Sequence, residues 1–212
     1  MKYKNIIFDL DGTLWDSRST LIDSWNSILK KHNLLEKPLK EKDLNPFMGL
    51  LLPEILPTIF PKIDPKILDK ILQEIMDHEA DNLRLKGGIL YDRVEDILKE
   101  LNENHDLFIV SNCQDGYIEA FLDYFKFHDL FRDFESFGRT GKPKIDNIKS
   151  VLVRNGLKKY ETVYVGDTQT DYTSATGNQL DFIFCEYGFG ELNPNLIVSK
   201  INSFQEIINL TK

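Results

Sequence analysis

From about residue 87 onward, short apolar runs alternate with helical patterns, and this alternation constrains the fold more than any other feature of the chain. Runs at Asp106–Ser111 (DLFIVS), Thr162–Val165 (TVYV) and Asp181–Cys185 (DFIFC), with a weaker one at Ile197–Val198, join an earlier run at Asn5–Leu10 (NIIFDL). Each is short, rich in β-formers and closed by polar or turn-forming residues, which predicts strands. Being apolar on both faces, they suit a parallel sheet buried between helices. Helical patterns over Val94–Asn102, Asp115–Phe121, Ile145–Asn155 and Thr170–Thr176 separate them. The expected fold is a doubly wound, parallel-sheet α/β core with right-handed crossovers.

Residues 16–86 break the pattern. Helical stretches at Leu21–His32 and Lys66–Asp81 flank a segment punctuated by Pro46, Pro53, Pro57, Pro61 and Pro65, and no convincing β run occurs there. The stretch reads as a small helical domain inserted into a core made of residues 1–15 and 87–212. Lys86-Gly87-Gly88 would be the return hinge, since glycine accepts backbone angles that other residues avoid. A length of 212 residues fits one domain carrying an insertion.

Composition narrows the partners. With 42% hydrophobic and 28% charged residues the chain is ordinary globular protein and not a disordered one. Twenty-six basic residues stand against 34 acidic ones, a net charge of −8. Such a surface is a poor match for phosphate backbones or anionic lipid, so neither nucleic acid nor membrane is an expected partner. No signal-like or membrane-spanning apolar run is present, and a cytoplasmic protein is expected. Cys113 and Cys185 match no metal spacing and read as small buried hydrophobes. The four histidines are scattered without ligand spacing.

Four short motifs carry the chemistry, and each follows a predicted strand. The first is Phe8-Asp9-Leu10-Asp11-Gly12-Thr13-Leu14. Its two carboxylates are two apart, on one face of a regular strand, with a glycine turn that can curl around an ion. In open parallel sheets ligands bind at the strands' carboxyl ends, where this pair falls. A calcium loop is excluded, because its third ligand would fall on Thr13, its glycine on Leu14 and its final glutamate on Thr20. The second motif, Ser111-Asn112, offers a hydroxyl and an amide to a phosphoryl oxygen. The third, Gly141-Lys142-Pro143-Lys144, places a cation just before a helix. The fourth, Val165-Gly166-Asp167-Thr168-Gln169-Thr170-Asp171, adds carboxylates at the same sheet edge. A hard, oxygen-rich site of this kind suits Mg²⁺. Taken singly, each motif has an ordinary structural explanation, such as an Asp-Gly turn, a helix cap or a solvated basic loop.

Together and in this order, the four motifs resemble those of the haloacid dehalogenase superfamily of phosphohydrolases, phosphoglycolate-phosphatase-like members in particular. The likeness spans Asn5 to about Gly190, and residues 16–86 look like the family's small helical cap on a Rossmann-like core. The resemblance implies a Mg²⁺-dependent phosphomonoester hydrolase acting on a small phosphorylated metabolite through an aspartyl-phosphate. It implies Asp9 as nucleophile and Asp11 as general acid, then base. Mg²⁺ would be held by the Asp9 side chain, the Asp11 carbonyl and Asp167. Gly12, Thr13, Ser111, Asn112 and a lysine would bind the phosphate, and Asp171 would orient the lysine or a metal-bound water. Family members show either a Lys-Pro spacing or a lysine directly before the helix, so both Lys142 and Lys144 stand as candidates. The stretch Tyr91-Asp92-Arg93-Val94 departs from the family's Pro-Gly turn.

Two alternatives stay open. A sugar-phosphate mutase of the same family uses the same motifs, and a catalytically silent binding module would keep only the fold. Dehalogenation is disfavoured because it proceeds without the second aspartate. Substrate choice is expected to lie in cap residues Asn45–Leu52, around Gly49. Gly188-Phe189-Gly190 lacks the third glycine of a dinucleotide fingerprint and reads as a loop near the site. Trp15, Trp25 and the aromatic residues from Tyr117 to Phe127 read chiefly as core.

Overall fold

The computed structural model describes residues 2–211. The described residues form eight strands: β1 Asn5–Phe8, β2 Trp15–Asp16, β3 Ile89–Leu90, β4 Asp106–Ser111, β5 Phe131–Ser136, β6 Thr162–Gly166, β7 Asp181–Cys185 and β8 Ser199–Ile201. Six form one parallel sheet in the order β5-β4-β1-β6-β7-β8. The chain winds outward from β1 through β4 to β5, then returns beside β1 and winds the other way from β6 to β8. This is the doubly wound α/β fold expected from the sequence, and its switch point lies at β1.

Alternation along each strand feeds two cores. Ile6 and Phe8 of β1 face one side, with Leu107 and Ile109 of β4 and Val163 and Val165 of β6. Ile7, Phe108, Val110 and Tyr164 face the other, against Ile148, Val151 and Leu152 of the helix Lys144–Arg154. The first core continues without a break into residues of the helical insertion, among them Leu21, Trp25, Ile71 and Leu83.

The insertion consists of helices Arg18–Lys31, Glu41–Leu44, Leu52–Ile59 and Pro65–Lys86, with a 3₁₀ turn at Asn45–Phe47. At its root, β2 and β3 pair antiparallel, Trp15 with Leu90 and Asp16 with Ile89. The long helix ends at Gly87, whose amide bonds the Leu83 carbonyl at 2.9 Å. The return stretch turns without a Pro-Gly pair: Val94 N–H reaches the Tyr91 carbonyl at 3.2 Å and Arg93 takes φ 59°.

Some elements differ from the sequence expectation. The run at Ile197–Val198 is loop, and the pairing residues are Ser199–Ile201. β5 went unpredicted because FRDFES carries charges on an exposed edge. Leu52–Ile59 forms a helix despite Pro57, with Leu52, Ile55 and Leu56 buried. Tertiary packing overrides propensity there. No helix among the described residues is long and apolar enough to cross a membrane.

Candidate active site

Strand register brings the motif residues to one edge. Phe8 of β1 lies beside Ile109 of β4 and Val165 of β6. Asp9, one residue beyond Phe8, and Ser111 and Asp167, two beyond Ile109 and Val165, therefore lie together at the carboxyl ends of three adjacent strands. Asp9 keeps the ladder going, its amide bonding the Val165 carbonyl at 2.8 Å.

Lys144, 2% exposed, opens the helix Lys144–Arg154 and sends its Nζ to the sheet edge. Nζ donates to Asp9 Oδ1 at 2.9 Å and to Asp171 Oδ1 at 2.6 Å. Burial works against its charge, but Asp171 and Asp9 more than offset this and raise its pKa. Lys142 lies elsewhere. It is exposed, and its backbone amide bonds Thr140 Oγ1 in the loop before the helix. The two lysines sit on opposite sides of Pro143, and only the one that begins the helix is carried to the sheet.

Asp171 is fixed from both sides. Thr168 supplies its amide at 3.0 Å and its hydroxyl at 2.7 Å to Oδ2, while the Asp171 amide returns to Thr168 Oγ1 at 3.1 Å. This reciprocal capping starts the helix Gln169–Gly177. Asp167 is fully buried, and its Oδ2 accepts amides of Phe189 at 2.7 Å and Gly190 at 3.3 Å. Its Oδ1 is buried with no hydrogen-bond partner among the described residues. Burial, then the charges of Asp171 and Asp9, push the Asp167 pKa up. Burial and Asp171 push Asp9 upward too, with Lys144 opposing.

Oxygen ligands of Asp9, Asp167 and Asp171 lie within 4.8 Å of one another. Both Asp171 oxygens are engaged by Lys144 and Thr168, whereas Asp167 Oδ1 has no partner among the described residues. A set made only of carboxylate oxygens, with one buried oxygen unsatisfied, fits a hard divalent cation.

Asp11 stands apart from that cluster. Ser17 Oγ donates to its Oδ1, and the Tyr117 hydroxyl lies 2.9 Å from Oδ1 and 2.8 Å from Ser17 Oγ. Loss of solvent pushes its pKa up to about 7, with Ser17 opposing and Asp9 adding to the rise. Gly12 turns at φ +79° directly over Asp167, where a Cβ would meet Oδ2 at 2.1 Å. Thr13 is fully buried, and its carbonyl accepts the Tyr187 hydroxyl at 2.8 Å. Gly12 and Thr13, expected at the phosphate, are thus absent from the cavity wall, as is Lys142.

A cavity of about 70 Å³ opens above Asp9. Asp9, Asp11, Ser111, Asn112, Tyr117 and Lys144 form its floor, and the insertion supplies a roof that includes Trp25, Gly49 and Glu79. Sequence reasoning missed Ser17, Tyr117 and Glu79. Tyr117 sits within an aromatic run that reads as core. Glu79 is legible only as a carboxylate on the buried helical stripe of Leu68, Ile71, Ile75 and Leu83. Its Oε1 accepts from Trp25 Nε1, its Oε2 has no partner among the described residues, and burial pushes its pKa up to about 8.

A doubly wound sheet with a lysine-bridged acidic cluster at its switch point, roofed by a helical insertion, defines a hydrolase of the capped α/β kind. The sequence profile of the haloacid dehalogenase-like hydrolases matches residues 6–185, and the chain belongs to that family. A 5'-nucleotidase of Pseudomonas aeruginosa is 24% identical over 196 residues, covering 90% of this chain and 86% of that protein. Among crystal structures, a predicted phosphatase from Clostridium acetobutylicum is 25% identical with a TM-score of 0.81, covering 99% of this chain and 98% of its own. A predicted phosphoglycolate phosphatase from Haemophilus somnus shares the fold at a TM-score of 0.83 and 21% identity, covering 100% of this chain and 99% of its own.

Proposed function

We propose that the protein is a Mg²⁺-dependent phosphomonoester hydrolase that works through an aspartyl-phosphate. The bridge from Lys144 to Asp9 and Asp171, beside the unsatisfied Asp167 Oδ1, carries this reading. Asp9, Asp167 and the Asp11 carbonyl would hold Mg²⁺, which supplies charge neutralisation between carboxylate and phosphate. Lys144 holds Asp9 Oδ1 and so sets the rotation of the carboxylate that attacks phosphorus. Ser111 and Lys144 offer donors to the phosphoryl oxygens as charge shifts in the transition state. Asp171 keeps the lysine extended and in place.

Asp11 gives its proton to the departing ester oxygen. As carboxylate it then takes a proton from the water that attacks phosphorus, releasing inorganic phosphate and restoring Asp9. The Ser17 and Tyr117 hydroxyls hold its side chain away from the cluster and toward the cavity. Residues 16–86 act as a cap that excludes bulk water during these steps.

The roofed cavity favours a small substrate. About 70 Å³ stands against the ~300–1,000 Å³ of sites for drug-sized ligands. Free, buried thiols at Cys113 and Cys185 fit a reducing, cytoplasmic setting.

The test is phosphate release from a panel of small phosphomonoesters and one aryl phosphate, in Mg²⁺ and in chelator. Turnover should vanish in chelator and return with Mg²⁺. Asp9→Asn should abolish it, and Asp11→Asn should accumulate a phosphate adduct on Asp9 with the aryl ester, visible by mass spectrometry. Full turnover in chelator, or in Asp9→Asn, would overturn the reading; isomerisation without phosphate release would mark a mutase.

A further inference from the structure

The roof of the cavity is apolar except at one point. Leu21, Leu44, Phe47, Leu52 and Ile55 line it from the insertion, and among them stands the Glu79 carboxyl. Glu79 is 1% exposed and follows Leu68, Ile71 and Ile75 along the inward stripe of the helix Pro65–Lys86. Trp25 Nε1 donates to Oε1 and holds the group in one orientation. Oε2 is buried and has no hydrogen-bond partner among the described residues. A buried carboxyl oxygen without a partner is unfavourable, so an occupant that donates to it is strongly preferred over one that does not.

The charges of the wall point the same way. Among the described residues that line the cavity, Lys144 is the one cation, and its Nζ is held between Asp9 and Asp171. Nothing else positive faces a second anionic group on a substrate. A carboxylate or second phosphate on the leaving alcohol would find no free cation among the described residues of the cavity wall to balance it.

We propose that Glu79 is the specificity-determining residue of this enzyme, accepting a hydrogen bond from an ammonium or hydroxyl group on the leaving alcohol. The assignment rests on the phosphomonoesterase reading and narrows it. The substrates are phosphate esters of small amino alcohols or polyols, and phosphorylated acids are excluded. An ammonium gains more than a hydroxyl, because it can pair with Glu79 as a carboxylate, favouring loss of the proton that burial otherwise keeps there.

Three series of esters test this: ω-aminoalkyl, ω-hydroxyalkyl and plain n-alkyl phosphates of two to four carbons, with phosphoglycolate and an aryl phosphate alongside. At the best chain length a donor-bearing ester should exceed its n-alkyl counterpart by about tenfold or more in kcat/KM. The amino and hydroxy arms identify which donor is used. Glu79→Leu should erase that ratio. Glu79→Gln, which keeps an acceptor but no charge, should reduce the amino ratio more than the hydroxy ratio. Because each readout is a ratio within one variant, a general loss of activity leaves it interpretable. Equal rates for n-alkyl and donor-bearing esters at every length would overturn the assignment. So would a preference for phosphoglycolate, or a ratio unchanged in both variants. Hydrolysis of the aryl ester without donor preference defeats the Glu79 assignment alone, whereas no hydrolysis of any ester defeats the phosphomonoesterase reading with it.

Discussion

Asn112 Nδ2 donates a hydrogen bond to the carbonyl oxygen of Gly49 at 3.0 Å, tying the end of β4 to the loop of the insertion. Asn112 lines the cavity, as expected for a residue beside the phosphate, yet its amide is spent on closing the roof. Gly49 itself takes φ +81°, and a Cβ there would meet Thr168 Cγ2 at 3.0 Å. The roof thus rests on the same threonine that fixes Asp171.

Loosening that contact should weaken substrate retention more than chemistry. Asn112→Ala removes one neutral hydrogen bond, a loss of ~1 kcal/mol. Steady-state kinetics should show KM rising several-fold for a small alkyl phosphate while an unhindered aryl phosphate changes little. Parallel losses on both esters would place Asn112 at the phosphate instead of the roof.

Lys144 and Lys142 should separate cleanly. Lys144→Ala leaves Asp9 and Asp171 buried without their shared cation, a change that destabilises by ~3–5 kcal/mol and lowers turnover by ~10²-fold or more. Lys142→Ala, at an exposed loop position, should stay within ~0.5 kcal/mol of wild type. Urea unfolding and phosphate release read the two effects. A larger loss in Lys142→Ala would reverse the assignment.

Gly12→Ala should act through Asp167. The new methyl would sit 2.1 Å from Asp167 Oδ2, at φ +79°, so the carboxylate must move. Titration calorimetry should find Mg²⁺ affinity reduced by ~10-fold or more. An unchanged affinity would show that Asp167 does not hold the ion.

Glu79 predicts a pH dependence of stability. Its carboxyl is held at about 8 in the fold against 4.5 as a free side chain. Between those values the native state keeps a proton that the unfolded chain has released, so stability falls as pH rises through that window. The slope is on the order of 1 kcal/mol per pH unit. Wild type and Glu79→Gln, unfolded in urea in chelator from pH 5 to pH 8, should therefore diverge, with the variant losing less. Parallel curves would mean that Glu79 is ionised throughout.

Local pattern alone determined strands β1, β4, β6 and β7 of the sheet and the residues at their carboxyl ends. Asn5–Phe8, Asp106–Ser111 and Thr162–Gly166 are apolar, short and cut off by polar residues, and adjacent parallel strands in register deliver whatever follows them to one edge. That is why Asp9, Ser111 and Asp167 could be named as neighbours before any distance was known. Tertiary structure decided the rest. Lys142 and Lys144 are indistinguishable in sequence, and only the docking of the helix Lys144–Arg154 against the sheet carries one ammonium to Asp9 and leaves the other in solvent. Ser17 and Tyr117 meet Asp11 because a helix 100 residues further along the chain packs beneath the first motif. Glu79 faces the active site because the insertion folds over the sheet edge, bringing a helix position that would otherwise hold a core leucine to the cavity. Strand ends follow from the apolar periodicity of a few neighbouring residues; the partners of a side chain depend on how distant elements pack, which no local pattern encodes.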